Sequence, residues 1–541
     1  MKKILAIVLS LCLFVSLFGC GRNSTANTQD NSGKENTAAT DTGTSTEPSS
    51  NQEKTADPSK NTMTAAFSSD RGTLDPLYYS GFDIQNIMCM VYEPLWAWDN
   101  EGNQEFKLAT ACEMIEPTRW HITLREGVKF TNGSDFKAND VLFTLDMANN
   151  RVGEAQFLPE LDLENCKALD DYNVELVFHN YDCTYSGTMG MLLMYDEESY
   201  DANTITSVAI GTGPYKVKDY VVNSHLTLEV NEDYWGEQPG IPNLEFKLIA
   251  EDSQKTNELA AGSIDLSAVP FQDIDYVKSL GDYNVVLNDV AETSAMYFNT
   301  SEKSIFYNNV DARWAVCLAI DREAIVNIAY NGYANVSQMP CATSNIDVTE
   351  DMKNLGVYGE GYNPEKAKEL AEKSGLAGQT ISFCTDGTPA AIATAECVQS
   401  DLNEIGVNVE IKNYDAGTWM SVLFDPNQSG DIMLYMVAMP SHTVGACMSA
   451  WYSYGLGGLL ASNPFPEKET FDELCNGILA ISDEAELHRR SVELCRIHSD
   501  AALWFGLVDK QSATAVRNGL EGYRIMQMIN IVYQDLYWTA G

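Results

Sequence analysis

The sequence predicts an α/β protein built on mixed sheets. Residues 211–269 carry the main observation. They contain a Gly-Pro turn in G-T-G-P-Y (211–215), alternating strands over 226–230 and 244–249, and an amphipathic helix ending in L-A-A-G-S-I-D-L (259–266). Strand, turn, strand and helix in succession form one unit of a mixed α/β sheet. With 541 residues, 45% of them hydrophobic, the chain is long enough for two or three lobes with their own cores.

The net charge of the chain is −43, from 77 acidic and 34 basic residues. A protein that binds nucleic acid needs a basic face for the phosphates, so we expect no nucleic-acid partner. The acidity is typical of a solvated, soluble surface and does not by itself identify a ligand.

The first twenty residues predict a signal and a lipid anchor. Lys2 and Lys3 precede an apolar run over residues 4–18 that is too short for a typical membrane span. The run ends in Leu-Phe-Gly-Cys, which resembles a bacterial lipoprotein signal. This resemblance implies cleavage before Cys20 and diacylation of its thiol. The alternatives are an uncleaved anchor or an ordinary secretory signal.

Residues 21–61 predict a disordered Ser/Thr-rich tether. The segment has almost no large apolar residue, so it cannot bury enough surface to offset the entropy of ordering it. A flexible chain of this length has a reach of roughly 35 Å, which clears the lipid headgroups.

The cysteines predict neither a zinc site nor a disulfide framework. Of the 13, Cys12 lies in the signal and Cys20 takes the lipid, which leaves 11 without C-x-x-C spacing. We expect most of them to act as small hydrophobic filler. The alternative for Cys166 and Cys183 is a disulfide between them.

The sequence has no motif for catalysis or metal binding: it lacks H-E-x-x-H, G-x-S-x-G and the phosphate-binding loop. The six histidines are dispersed without metal-ligand spacing. His488 and His498 fall in a polar C-terminal helix, and we expect both on its solvent face. We therefore expect no metal, no cofactor and no enzyme activity; a secreted hydrolase is the enzyme alternative.

Several segments in fixed order resemble the bacterial extracellular solute-binding proteins of the dipeptide/oligopeptide type (family 5). After G-T-G-P-Y come N-E-D-Y-W-G (231–236) and the helix end A-G-S-I-D-L. Y-E-P-L at 92–95 precedes them, and F-N-T at 298–300 and a helix through I-D-R-E (320–323) follow. The resemblance covers nearly all of residues 62–541.

This resemblance implies a two-lobed fold of the periplasmic-binding-protein type, with mixed sheets, two crossovers as a hinge and an extra subdomain on the first lobe. Two crossings permit closure of rigid lobes. The implied segments are a signal at 1–20, a tether at 21–61, the first lobe at 62–101, 204–290 and 507–541, the extra subdomain at 102–203 and the second lobe at 291–506.

The family captures solutes outside the membrane and delivers them to ABC importers. The resemblance thus implies a lipid-anchored, extracytoplasmic monomer that binds a peptide or peptide-like solute in an interlobe cleft and docks on an ABC permease in the membrane. The alternative from another class is a surface sensor or scaffold lipoprotein that binds a non-peptide small molecule and signals to a receptor.

One stretch departs from the peptide-binding pattern. Peptide-binding relatives carry a Trp and then a carboxylate that holds the α-ammonium of the peptide. The matching stretch is 431–443, where Val437 stands at the Trp position and Pro440 at the carboxylate position. Recognition of a free α-amine is therefore in doubt. The acids that could take the role elsewhere are Asp83, Glu292 and Asp415.

The segments that match the family's cleft are rich in aromatic residues, which can line a ligand slot with little loss of entropy. Taken singly, each ring is more often part of a core. The ligand-binding residues implied by the resemblance are Tyr78, Tyr79, Ser80, Tyr297, Trp419, Tyr435, Met439, Ser441, His442, Thr443, Trp451 and Tyr452.

Overall fold

The computed structural model describes residues 57, 59–70, 72–77, 86–99, 103–150, 157–345, 347–423, 425, 427–438, 443–452, 464–526 and 530–540. Within them, an eleven-stranded mixed sheet runs through the molecule and a four-stranded sheet lies beside it. None of the helices in this part of the chain combines the length and apolarity that a membrane span requires.

The strands are short except for two near the centre of the large sheet. In chain order they are β1 Thr62–Phe67, β2 Trp96–Trp98, β3 Gln104–Phe106, β4 Ala109–Glu116, β5 Arg119–Leu124, β6 Lys167–Asp170, β7 Asn173–Val177, β8 Tyr215–Val221, β9 His225–Val230, β10 Asn243–Leu248, β11 Leu266–Ala268, β12 Tyr283–Phe298, β13 Ala334–Val336, β14 Thr380–Thr385, β15 Asn408–Asn413, β16 Ile432–Ala438, β17 Trp504–Arg517, β18 Leu520–Glu521, β19 Ile525–Met526, β20 Asn530–Ile531 and β21 Tyr537–Trp538.

The helices alternate with the strands, as in α/β folds. In chain order they are α1 Ala138–Asn150, α2 Tyr185–Met189, α3 Asp252–Ala260, α4 Ile274–Leu280, α5 Val310–Ala319, α6 Arg322–Ala329, α7 Val357–Glu360, α8 Pro364–Ser374, α9 Pro389–Glu404, α10 Ala416–Leu423, α11 Val444–Ala450, α12 Lys468–Gly477 and α13 Glu484–Ala501.

Two long neighbouring strands, β12 and β17, join the lobes. They pair antiparallel along most of their length. On the far side of β17 the sheet continues through β11, β1, β10, β9 and β8, which form the first lobe; on the far side of β12 it continues through β16, β14 and β15, which form the second. The pairing is irregular between Asp289 and Thr293, where the chain passes from one lobe to the other. The predicted two-crossover fold is confirmed.

The extra subdomain has its own sheet, in the order β4-β5-β7-β6. Alternate residues of β5 and β7 are buried, including Trp120, Ile122 and Leu176, because successive side chains of a strand point to opposite faces. These side chains share a core with apolar residues of α1, such as Val141.

A buried carboxylate explains why three motifs far apart in the sequence occur together. Glu93 of Y-E-P-L accepts hydrogen bonds from Thr212 Oγ1 (3.0 Å), Tyr234 OH (2.9 Å) and Trp235 Nε1 (2.8 Å). Burial raises the pKa of Glu93, and the three hydrogen bonds oppose the shift. The carboxylate thus ties G-T-G-P-Y and N-E-D-Y-W-G to the segment before β2.

The two glycines of G-T-G-P-Y are required by close packing. A Cβ atom on Gly211 would overlap the carbonyl oxygen of Val91, and one on Gly213 would overlap that of Met90. Gly213 N–H donates to Val91 O at 2.9 Å in the same contact. The motif therefore marks a place where two backbone segments touch.

A buried arginine holds the C-terminal end of α13. Arg313 on α5 donates to the carbonyl oxygens of Ala501, Ala502 and Phe306 at 2.8–3.0 Å. Burial lowers the pKa of its guanidinium to about 10. A cation at the carbonyl end of a helix is favourable for the helix dipole.

The expectation for His498 is wrong. Its side chain is 0% exposed and packs on the Trp504 ring, with centroids 4.0 Å apart. Burial, together with the nearby Arg313 charge, lowers the pKa of His498. His488 is on the exposed side of the same helix, as expected, with Nε2 at 3.2 Å from Asp351.

The eleven cysteines in the described residues are all free thiols. Cys166 is not bonded to Cys183: its thiol donates to Val177 O at 3.7 Å and accepts from Val177 N–H at 3.3 Å. Seven are buried and act as the predicted filler. Near the N-terminus, Asp57 N–H donates to Trp538 O at 2.8 Å, so the end of the predicted tether segment already contacts the first lobe.

Candidate functional site

We term the crossing the place between Asp289 and Thr293 where the chain passes from one lobe to the other. In both lobes, strands of the large sheet point their carboxyl ends toward it. In the second lobe, Ala438 at the end of β16 pairs with Glu292, the residue of β12 nearest the crossing. β14 and β15 run parallel to β16. In the first lobe, Ala268 at the end of β11 is the residue of that strand nearest the crossing, and β1 runs parallel to it. Ligands of open α/β sheets bind outside the carboxyl ends of strands.

The crossing itself is held by charged groups on β17. Asp509 accepts hydrogen bonds from Thr293 Oγ1 (2.7 Å) and from the backbone and hydroxyl of Thr343 (3.0 and 2.9 Å). Burial raises the pKa of Asp509. The next residue, Lys510, forms an ion pair with Glu292. Burial lowers the pKa of Lys510, but the charge and hydrogen bond of Glu292, together with Tyr330 and Asp386, outweigh it and the net shift is upward.

Polar turns follow the strand ends of the second lobe. After β14, Asp386 accepts from Thr388 N–H (3.1 Å) and its hydroxyl (2.8 Å). After β15, Asp415 accepts from Thr418 N–H (3.1 Å) and its hydroxyl (2.7 Å). Both acids therefore lie at the edge that faces the crossing.

A line of aromatic rings, which we term the aromatic row, belongs to one apolar core of the second lobe. It consists of Tyr414, Trp419, Tyr435, Trp451 and Tyr297. Successive centroids lie 6.1, 6.3, 6.0 and 6.3 Å apart, within the range of favourable ring contacts. Four of the five rings belong to the set predicted from the sequence.

The members of the aromatic row differ in burial. Trp419 is 1% and Trp451 4% exposed, and Tyr297 is fully buried with its hydroxyl donating to Met436 O at 3.0 Å. Tyr435, on β16, is partly exposed. Among the residues that the structure describes, the indole Nε1 groups of Trp419 and Trp451 have no hydrogen-bond partner.

Two further predicted residues have structural contacts. Thr443 begins α11, where its hydroxyl accepts from Ala446 N–H at 3.3 Å, and Asp347 accepts from the neighbouring Val444 N–H at 2.7 Å. Tyr452 is buried outside the aromatic row, and its hydroxyl donates to Asp472 at 2.8 Å. The structure thus brings four predicted rings together, and Tyr452 lies in the same apolar core with its ring against Phe471.

Some of the predicted residues lie outside the described part of the chain: Tyr78, Tyr79, Ser80, Met439, Ser441, His442, Cys20 and the candidate acid Asp83. Sequence reasoning missed Asp386 and Tyr414, which directly follow β14 and β15. It also missed the Glu292–Lys510 pair, which joins residues more than 200 positions apart. Within the described residues, no group of three or more His, Cys, Asp or Glu side chains could hold a metal ion.

The model of the family described as bacterial extracellular solute-binding proteins, family 5, matches residues 105–455 in its middle region. The chain belongs to this family. Among family 5 relatives, the oligopeptide-binding protein AppA of Bacillus subtilis is 23% identical over 489 residues, covering 85% of this chain and 87% of AppA. The nickel-binding periplasmic protein of Escherichia coli is 25% identical over 350 residues, covering 60% of this chain and 65% of that protein.

A solved structure of family 5 type shows the same fold. The ABC transporter substrate binding protein CtaP of Listeria monocytogenes superposes with a TM-score of 0.78 over 89% of this chain and 100% of its own, at 19% identity. The family and the two-lobed fold predicted from the sequence are confirmed.

Proposed function

We propose that this family 5 protein is a lipid-anchored, extracytoplasmic binder that captures a peptide or peptide-like solute between its lobes and delivers it to an ABC permease. The observation that carries the proposal is the convergence of the strand carboxyl ends of both lobes on the crossing. The oligopeptide-binding relative supports a peptide as the solute.

The anchor and the segment boundaries belong to the same proposal. Lipid on Cys20 would hold the chain at the membrane, and residues 21–61 would give it reach. The boundaries are those stated from the sequence, with the first lobe at 62–101, 204–290 and 507–541, the subdomain at 102–203 and the second lobe at 291–506. A monomer is sufficient, since both lobes come from one chain.

A non-peptide solute is the second candidate, and a specific observation favours it. The nickel-binding relative shows that the family also includes a protein named for a solute that is not a peptide. The acid at the usual α-ammonium position is missing here, since Pro440 stands there.

Heat unfolding tests the proposal. The probe is a tryptic digest of casein, and the control is a mixture of free amino acids of the same composition. A ligand that binds only the folded state stabilises it by about 2.7 kcal/mol at 100 times its Kd. We expect the digest to raise Tm and the amino acids to leave it unchanged. No change with the digest would contradict peptide binding.

A further inference from the structure

A segment of the second lobe rests on the first lobe beside the crossing. Residues 330–335, which we term the hinge turn, lead from the end of α6 into β13. Tyr330 and Ala334 belong to the same apolar core as Phe383 of β14 and Ile432 of β16. The hinge turn is therefore part of the second lobe by its packing.

The hinge turn meets the first lobe along one edge of β17. β13 pairs with residues 508–510 of β17, and β11 of the first lobe pairs with residues 514–516. Because β12 occupies the other edge of β17, β13 and β11 share the remaining one. Residues 511–513 separate the two lobes along this shared edge, so the segment that follows β11 lies next to the hinge turn.

Three aromatic rings pack across this boundary. Phe271, which follows β11, is T-shaped to Tyr330 with ring centroids 6.0 Å apart and is stacked on Tyr333 at 6.5 Å. Asn331 and Gly332 have positive φ angles of 51° and 81°, which these residue types tolerate, and the tight turn presents both tyrosines to Phe271. Phe271 packs against the core of the second lobe and Tyr333 against a core of the first, so each lobe covers apolar surface of the other.

Hydrogen bonds from two positions of the hinge turn fix the same arrangement. The Tyr333 hydroxyl donates to Asp275 Oδ1 at 2.9 Å and accepts from Lys278 Nζ at 3.3 Å. Both partners are on α4 of the first lobe. Asn335 Nδ2 donates to Asp289 Oδ1 at 3.1 Å, on the part of β12 before the crossing.

We infer that the hinge turn is a latch that holds the lobes closed through Tyr333 and Asn335. Phe271 and α4 follow the carboxyl end of β11, which points toward the crossing, so closure of the lobes brings them against the hinge turn. The latch acts between the lobes with or without solute, and the inference therefore goes beyond the proposed function. A latch that favours the closed state raises the apparent affinity for any solute that binds closed lobes.

The test measures the distance between the lobes of the full chain without added solute. Glu245 on β10 and Glu410 on β15 are exposed positions of the first and the second lobe. A ketone-bearing amino acid at each position takes a nitroxide without reaction of the cysteine thiols, and pulsed EPR then gives the distance distribution. Tyr333→Phe removes the hydroxyl and keeps the ring. We expect the ratio of closed to open chains to fall roughly fivefold, the effect of one net hydrogen bond, so that longer distances gain population.

The matched control is Tyr276→Phe, which removes the hydroxyl of a tyrosine on α4 that is 51% exposed. It should leave the distance distribution unchanged. Asn335→Ala, which removes the donor to Asp289, is the second variant and should lengthen the distances like Tyr333→Phe. The inference is overturned if neither variant lengthens them, even where the unfolding temperature falls, because a contact that only stabilises the fold would lower that temperature without moving the lobes.

Discussion

The backbone N–H of Cys183 donates to the carbonyl oxygen of Leu479 at 2.8 Å, and this bond joins the extra subdomain to the second lobe. The Cys183 thiol also faces Ile478 O at 3.9 Å and the Thr443 side chain. Thr443 caps the first turn of α11. The lobes are therefore linked at a second place, by residues that belong to neither crossing strand.

This contact predicts that Cys183 helps to hold the lobes closed. Cys183→Arg should separate the subdomain from the second lobe, because the larger cation does not fit beside Ile478 and Leu479. We expect a larger radius of gyration by small-angle X-ray scattering. The backbone amide at position 183 should exchange with deuterium roughly fivefold faster than in the wild type, the effect of losing one net hydrogen bond.

The matched control for closure is His179→Arg, which adds the same side chain to an exposed position of the same segment. It should change neither measurement. From the other side, Leu479→Cys places a second thiol next to Cys183, and we expect the two to form a disulfide on oxidation, because the backbones of the two residues are joined by a 2.8 Å hydrogen bond. An unchanged radius in Cys183→Arg, together with no cross-link in Leu479→Cys, would contradict the closure contact.

Much of the fold could be predicted from the sequence, because the strands and helices follow local patterns. The alternating runs at 226–230 and 244–249 form β9 and β10. The meeting of three motifs at Glu93 could not be predicted, since it depends on residues about 120–140 positions apart. His498 was expected on the solvent face, although the helical period indicates burial. Ser491, Leu494, Cys495 and His498 form one buried stripe of α13.

The candidate site was predictable only in part. The aromatic residues were identified through the resemblance, and four of them form the aromatic row. Their ring contacts could not be identified, because they join residues from separate segments of the chain and have no sequence signal. The contact of Cys183 with Leu479 spans nearly 300 positions and likewise leaves no local pattern.

Replacing Cys20 by Ala should release the protein from the membrane, because the thiol that carries the lipid is gone. Two or more acyl chains anchor a protein stably, whereas one is marginal. The measurement is fractionation after a high-salt wash. Cys12→Ala, which removes a thiol of the signal, is the control and should stay with the membrane. A Cys20→Ala variant that still sediments with membranes would contradict lipid anchoring.

The buried Glu93 predicts a pH-dependent stability difference. Because burial raises its pKa in the folded state above the ordinary 4.5, the folded chain binds a proton in a range where the unfolded chain does not. The unfolding free energy of the wild type minus that of Glu93→Gln should therefore rise as the pH falls from neutral toward 4.5. Glu113→Gln, at an exposed position of β4, should show no such trend. A difference that shrinks with falling pH would contradict the burial of the charge.

N-acetylation of a bound peptide should weaken binding only slightly, less than tenfold by calorimetry. An ammonium needs a carboxylate when it is buried. Pro440 replaces the usual acid, Glu292 is paired with Lys510, and Asp415 holds Thr418. A 100-fold loss, about 2.7 kcal/mol, would show that another acid binds the α-amine. The variants Asp386→Asn and Asp415→Asn would then identify it.

The central claim is that the chain captures one solute between its lobes. Native mass spectrometry of the full chain, purified from cells and released gently from detergent, tests this most directly. We expect the protein to carry one small molecule per chain, with a mass that fragments as a peptide. A bare protein mass, in preparations that also bind no peptide from the casein digest, would contradict the account.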